Sequence, residues 1–350
     1  MKHKYMEYDF MLDGYNYTLP SSAIANHPAN PRESAKLLVY ERESGRITHS
    51  DFYHFCDFIP KETLVVLNNT KVIKARLYAH KLTNLQKSQK LYEIFFHKML
   101  EDSLYLVQIR GRVKNGDRFI LGDDICIELK ECVDGGMRKV CFIKEGKLLK
   151  GEDVLEVLEH YGHMPIPPYI KRPSMESDTY FYQSVFAKNA GSVAAPTASL
   201  HFSTQSLEML EQHFQTCFVT LHIGAGTFIG VEKPDIRDHI IHTESYSLSP
   251  QSAQSIEQAK KVLCIGSTSA RCVEYYMRHK TLSGECDIFL YPGVALKRVD
   301  YLLTNFHLPK STLLMLVSAM IGREKCLELY ELALKENYRF YSYGDGMLIL

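Results

Sequence analysis

"SAQSIEQAKKVLCIGSTSARCVEYYMRH", residues 252–279, decides the fold class. It reads as a helix, a buried strand ending at Gly266, and a second helix opened by Ser267, Thr268 and Ser269. The same alternation extends on both sides. Downstream, "CDIFLYP" (286–292) is a strand, and "STLLMLVSAMIG" (311–322) and "KCLELYELALKENY" (325–338) are helices, the first with Ser311 as its N-cap. Upstream, "STQSLEMLEQHF" (203–214) is a helix with Leu207 and Leu210 turned inward, and "CFVTLHIGAGTF" (217–228) is a strand running into a glycine loop. Strands alternating with helices imply a layered α/β domain.

Residues 61–145 have a different texture. "TLVVLNNTKVIKARLYAH" (63–80) is rich in β-branched residues, and turns are marked at Asn115-Gly116 and Asp134-Gly135-Gly136. Many short strands without helical periodicity suggest a small barrel or sandwich. The expected architecture is an α/β domain with an inserted small β domain, with 1–58 and 150–350 forming the first and 59–149 the second. Helical pattern resumes at "GEDVLEVLEHYG" (151–162), and "HMPIPPYIKRP" (163–173) is a stiff, extended connector, because proline fixes φ.

Composition bounds the possibilities. Of the 350 residues 45% are apolar, enough for a substantial core, and 41 basic residues balance 41 acidic ones. That balance excludes a strongly basic nucleic-acid coat but leaves room for a local basic face. Nine scattered cysteines without a CxxC argue against a disulfide scaffold and point to a reduced, cytoplasmic protein, expected to be monomeric. The N-terminus lacks the apolar run of a signal peptide, and Leu313–Ile321 is only about half a membrane span, so no membrane association is expected.

Several stretches could carry chemistry. At Gly266, Thr268 and Ser269 a helix start offers N–H groups and hydroxyls to an anion; ordinary N-capping is the competing reading. In "TLHIGAGTF" (220–228), His222 precedes Gly224, Gly226 and Thr227, which would expose backbone to a ligand above the strand end, or form a glycine bulge beside a packed histidine. In "TNFHLPKSTLL" (304–314), Asn305 and His307 precede a helix opened by Ser311 and Thr312; a turn plus cap is the alternative. "GSVAAPTASLHF" (191–202) places the small residues Ala195, Pro196 and Thr197 before His201, a wall against which a planar ligand could lie. His201, His222 and His307 each stand where a loop meets an element, and imidazole can exchange protons near neutral pH. Asp345 lies between two glycines, as turn former or ligand contact. His239, His242 and Glu244 do not form a HExxH pattern, so no metal is expected, and no GxSxG is present.

Taken together, these stretches resemble the S-adenosylmethionine:tRNA ribosyltransferase-isomerase family of bacterial queuosine biosynthesis. The resemblance is carried by "YNYTLPSSAIANHP" (15–28), "VVLNNTKVIKARL" (65–77), "MPIPPYIKR" (164–172), "YQSVFAKNAGSVAAPTASLHF" (182–202), "VTLHIGAGTF" (219–228), "IHTESYSL" (241–248), "IGSTSAR" (265–271), "VDYLLTNFHLPKSTLLMLVSAMIG" (299–322) and "YRFYSYGDGMLI" (338–349), in family order. It implies an α/β catalytic domain with an inserted small β-barrel domain, and transfer and isomerisation of the ribosyl moiety of S-adenosylmethionine onto 7-aminomethyl-7-deazaguanine at the wobble position of tRNA. Epoxyqueuosine-tRNA forms, and adenine and methionine leave.

That chemistry needs a base near the carbon beside the sulfonium and a donor for the departing adenine. The resemblance directs the catalytic assignment to His201, His222 and His307, with Asp345 and Glu244 behind them, and gives Lys71, Lys74, Arg76, Lys171, Arg172 and Arg271 as contacts to the tRNA backbone. S-adenosylmethionine is the co-substrate, and no metal is implied. The chain departs from the family pattern at Phe181, where Arg is common, at Ser199 (Gly), at Ser245 (Trp) and at Gly346 (Ala). A different nucleotide-using transferase on this fold, or a non-catalytic RNA-binding protein, are the competing functions.

Overall fold

Thr63–Asn68, "TLVVLN", is buried at all six positions, and it is the strand around which the chain is arranged. In the computed structural model, which describes residues 5–84, 86–133, 136–224, 226 and 230–350, it lies inside a nine-stranded sheet. The order is Ser283–Cys286, Glu244–Leu248, Thr216–Leu221, Thr63–Asn68, Lys261–Ile265, Tyr301–Asn305, Gly346–Ile349, Lys36–Tyr40, Ile47–Asp51. The four strands from Thr216–Leu221 to Tyr301–Asn305 are parallel, and the sheet becomes mixed on either side. A continuous apolar run is what a strand covered on both faces requires.

This placement corrects one expectation. The β-branched texture of 63–68 matches that of residues 70–80 and groups the strand with the inserted module. Its hydrogen-bonded neighbours are instead Thr216–Leu221 and Lys261–Ile265 of the large sheet. The second sheet begins only at Arg76. It contains Lys147–Leu148, Met137–Lys144, Tyr105–Ile109, Gln86–Met99, Arg76–Thr83, Arg118–Leu121 and Ile125–Cys132 in that order, all antiparallel, and Met137–Lys144 also pairs with Ile125–Cys132. The helix Glu152–Tyr161 joins the core of this second sheet through Val154, Val157 and Leu158.

The large sheet is covered by helices whose boundaries obey sequence signals. Ser203 caps Thr204–His213 by accepting from the Ser206 amide at 3.2 Å, and Ser311 caps Thr312–Ile321 through the Leu314 amide at 3.2 Å. Ser267–His279 and Pro250–Gln258 flank Lys261–Ile265 in sequence, and their apolar faces enter one cluster with Val262 and Cys264. All nine cysteines are free thiols. No helix among the described residues is long and apolar enough to cross a membrane.

Candidate active site

The four parallel strands finish at one edge of the sheet, at Asn68, Leu221, Ile265 and Asn305. Thr63–Asn68 has later strands on both sides, so connections diverge there, and ligands of open α/β sheets bind beyond such a point. A cleft of about 410 Å³ opens at this edge, a size suited to a small organic ligand. Asn68, fully buried, ties the rim together: its carbonyl oxygen accepts from the amides of Thr70 and Leu221 at 3.1 Å, and its amide donates to Leu221 O at 3.0 Å and Thr268 Oγ1 at 3.1 Å.

One wall is the small-residue run. Ala194, Ala195, Pro196, Thr197 and Ala198 line the cleft. The run is fastened to the Thr216–Leu221 connection, where the Val193 amide donates to Ile223 O at 3.0 Å and Ser192 Oγ accepts from the Ile223 amide at 2.9 Å. Gly266, Ser267 and Thr268 form the floor. Gly266 has φ +85°, and a Cβ there would meet only ordinary contact, 3.6 Å from Ala198 Cβ. The backbone dihedral, more than room, requires glycine at this helix start.

Tyr169, Tyr182 and Tyr341 close the other side, with Pro168 and Ser342. Tyr169 and Tyr341 stack at 4.2 Å, and Tyr169 Oη lies 2.6 Å from Ser342 Oγ. Tyr341 adopts φ +72°, costly for a residue with a side chain. That conformation accompanies a carbonyl contact: Asn305 Nδ2 donates to Tyr341 O at 2.8 Å.

The polar groups divide sharply by position. His307 lines the cleft, and its Nε2 lies 2.7 Å from Thr304 Oγ1. Burial pushes its pKa down to about 3, so the ring is neutral at pH 7. Glu244 and Arg271 also line the cleft as a buried ion pair, with Gly224 donating its amide to Glu244 Oε1 at 3.0 Å. The remaining expected contacts at this surface, Asn305, Ser311 and Thr312, are present.

Other expected residues lie elsewhere. His201 is outside the cleft: it stacks on Phe52 with centroids 3.9 Å apart, and its Nε2 meets Asn305 Oδ1 at 3.1 Å. Burial lowers its pKa to about 4, and it borders a separate groove with Phe52, Phe55 and Met209. It touches the cleft only through Asn305. His222 faces Thr70, with Nδ1 2.7 Å from Thr70 Oγ1, and burial lowers its pKa. Asp345 is occupied by the Arg339 side chain at 3.0 Å, the Arg339 amide at 2.7 Å and the Lys36 amide at 3.1 Å, so it holds the last turn. Ser269 is fully buried and donates to Ile265 O at 2.8 Å. Gly226 borders a small recess with His239 and His242 that Glu244 and Arg271 also line, and Thr227 lies outside the described residues.

The basic residues sort similarly. Lys71 and Lys171 are exposed. Lys74 pairs with Glu159 at 2.7 Å, Arg76 approaches Glu93 at 3.9 Å, and Arg172 binds Asp178 through two contacts of 2.7 Å. Arg271, expected as a backbone contact to tRNA, is instead only 7% exposed and belongs to the cleft. Among the described residues, no three His, Cys, Asp or Glu converge as metal ligands. Tyr169, Tyr182, Tyr341 and Thr304 join the site although the sequence reading singles out none of them: all four lie in the quoted stretches, but an aromatic or a threonine beside apolar residues reads as core or turn.

Known proteins share the sequence of this chain along nearly its whole length. The family model described as "Queuosine biosynthesis protein" matches residues 12–349. The chain is 64% identical, over 99% of its length and 98% of the relative's, to an S-adenosylmethionine:tRNA ribosyltransferase-isomerase of Helicobacter hepaticus. It is 53% identical, over 98% of its length and 99% of the relative's, to the Helicobacter pylori protein of the same name. The crystal structure of an S-adenosylmethionine tRNA ribosyltransferase from Thermotoga maritima superposes with TM-score 0.53 at 28% identity, covering 96% of this chain and all of that one. Matched along nearly its whole length, this chain belongs to the queuosine biosynthesis protein family, that of the S-adenosylmethionine:tRNA ribosyltransferase-isomerases.

Proposed function

We propose that the chain transfers the ribosyl moiety of S-adenosylmethionine to 7-aminomethyl-7-deazaguanine at the wobble position of tRNA and isomerises it. Epoxyqueuosine-tRNA is formed, and adenine and methionine are released. The observation that carries this reading is the provenance of the cleft. Its walls come from the 164–172, 182–202, 265–271, 299–322 and 338–349 segments, which are those of the family resemblance.

His307 is the proton-transfer residue. It is neutral, borders the cleft, and has Nε2 fixed by Thr304, so Nδ1 is the atom that can exchange a proton with a bound substrate. His201 is a positioning residue: stacked on Phe52, it fixes Asn305, which in turn braces the Tyr341 backbone. The small-residue wall and the tyrosines exclude water from the reacting atoms. Exposed Lys71 and Lys171 offer the first phosphate contacts, with Lys74, Arg76 and Arg172 engaged in pairs that a phosphate would have to displace. The second module, running from about Arg76 to Tyr161, is read as a small barrel. Six of its strands pair in a ring, because Met137–Lys144 bonds on both edges. The setting is cytoplasmic.

The test is adenine release from S-adenosylmethionine, followed by chromatography, with tRNA bearing 7-aminomethyl-7-deazaguanine and with the same tRNA bearing guanine. Release only with the modified tRNA, and epoxyqueuosine in its digest, is the expected result. Binding of the modified tRNA without any release would refute the reading in favour of a non-catalytic RNA-binding role.

A further inference from the structure

The Glu244–Arg271 pair is built as half of a larger constellation. Arg271 Nε donates to Ile288 O at 3.3 Å and Nη1 donates to Glu244 Oε2. Nη2 is buried and has no partner among the described residues. A guanidinium has five N–H donors, and leaving a buried one unmet is costly. Glu244 accepts one bond at each oxygen, from Gly224 and from Arg271. A carboxylate has about four acceptor positions, so capacity remains on both. The two side chains, 6% and 7% exposed, are the only carboxylate and the only cationic side chain among the described residues lining the cleft.

The cleft wall therefore holds, side by side, a spare cationic donor, itself covered from solvent, and a spare anionic acceptor in otherwise neutral surroundings. A phosphate would satisfy Arg271 and be repelled by Glu244. An isolated ammonium would satisfy Glu244 and leave Nη2 unmet. An α-amino acid zwitterion answers both.

We propose that Glu244 and Arg271 are the receptor for the amino acid end of S-adenosylmethionine, with Arg271 Nη2 binding the α-carboxylate and Glu244 the α-ammonium. This rests on the function proposed above and deepens it. It gives Glu244 a binding role rather than a proton-transfer one, and removes Arg271 from the tRNA contacts. Free methionine, which carries the same two groups, is then competitive with S-adenosylmethionine.

The test compares S-adenosylmethionine with its decarboxylated analogue as ribosyl donors, by adenine release in the presence of the modified tRNA. The wild-type protein is expected to show a KM about 10- to 100-fold higher for the analogue, as loss of a charge-assisted hydrogen bond implies. Arg271→Gln is expected to raise the KM for S-adenosylmethionine by a similar factor and to leave that for the analogue nearly unchanged, so that discrimination collapses. A purely structural role for Arg271 would weaken both donors alike, and that outcome overturns the proposal. So does a wild-type protein that uses both donors equally, a result that needs no variant and stands even if Arg271→Gln does not fold. Competitive inhibition by methionine but not by its methyl ester supports the assignment independently. Absence of adenine release from either donor refutes the underlying function, and is thereby distinct from release without discrimination.

Discussion

Two arginine–carboxylate pairs hold different parts of this chain and are completed to different degrees. In the proline-rich connector, Arg172 meets Asp178 through two contacts of 2.7 Å and directs its other donors to Asn26 O at 3.1 Å and Pro173 O at 3.0 Å. Asp178 also accepts from the Met175 amide at 2.8 Å and Tyr343 Oη at 3.0 Å. In the cleft, Arg271 meets Glu244 through one nitrogen and keeps another unmet among the described residues. Charge type is the same and both carboxylates are buried, while Arg172 is half-buried and Arg271 buried, so the difference lies in how the arginine is covered and in its remaining partners. A pair completed within the chain fastens the backbone; a pair left incomplete at a cleft has capacity for something arriving from outside.

The sharpest way to break this contrast is Asp178→Ala. It leaves half-buried Arg172 without its counter-ion and should cost about 2–3 kcal/mol of stability, seen as a fall in denaturation midpoint, while the KM for S-adenosylmethionine of the folded protein stays put. A KM change as large as that of Arg271→Gln would erase the distinction between the two pairs.

The two histidines repeat the contrast. His307→Ala should lower kcat by about 100-fold or more with little change in KM, as expected on losing a proton-transfer group. His201→Ala should lower kcat less and stability more, because it acts through Asn305 and leaves a void beside Phe52. Single-turnover rates set beside denaturation curves separate the two.

Acid stability tests the same burial. His201 and His307 bind protons less readily folded than unfolded, with pKa values near 4 and 3 against 6.5. Stability is therefore lost as pH falls below about 6.5. Each contributes a loss of about 2 kcal/mol by pH 5, and His307→Gln should remove its share from the denaturation midpoints measured at pH 7 and pH 5.

The smallest expected effect concerns Gly346. A Cβ there would lie 2.6 Å from Phe52 Cζ, so Gly346→Ala pushes on the ring that stacks on His201. A cost of about 1 kcal/mol is expected, with a slight loss of activity measured in parallel with melting temperature.

Much of the large sheet is legible in the sequence because its strands are short apolar runs bounded by caps and glycines, as at Ile265–Gly266 and Ser311. The texture of Thr63–Asn68 points to the wrong sheet, since an apolar run does not state its neighbours. In the site, the residues that do line the cleft as expected, from Ala195 to Thr197, at Gly266 and at His307, sit in loops whose composition has few structural explanations. Asp345 and His201 lie away from it, because local sequence does not reveal the partner that occupies a side chain. Asp345 is taken by Arg339, and His201 by Phe52 and Asn305. The tyrosine wall is hidden by its resemblance to core.

The chain leaves for the second sheet and returns from it at adjacent points. Arg76 and His163 exchange backbone hydrogen bonds, at 3.3 and 2.9 Å. The buried core of that sheet draws on residues 73–158, with Val193 the only member from elsewhere among the described residues. A segment whose ends meet and whose interior is its own is a removable cartridge. A deletion resealed by a short turn between those two points would keep every residue that lines the cleft and would uncover Val193, the neighbour of Ala194 in its wall.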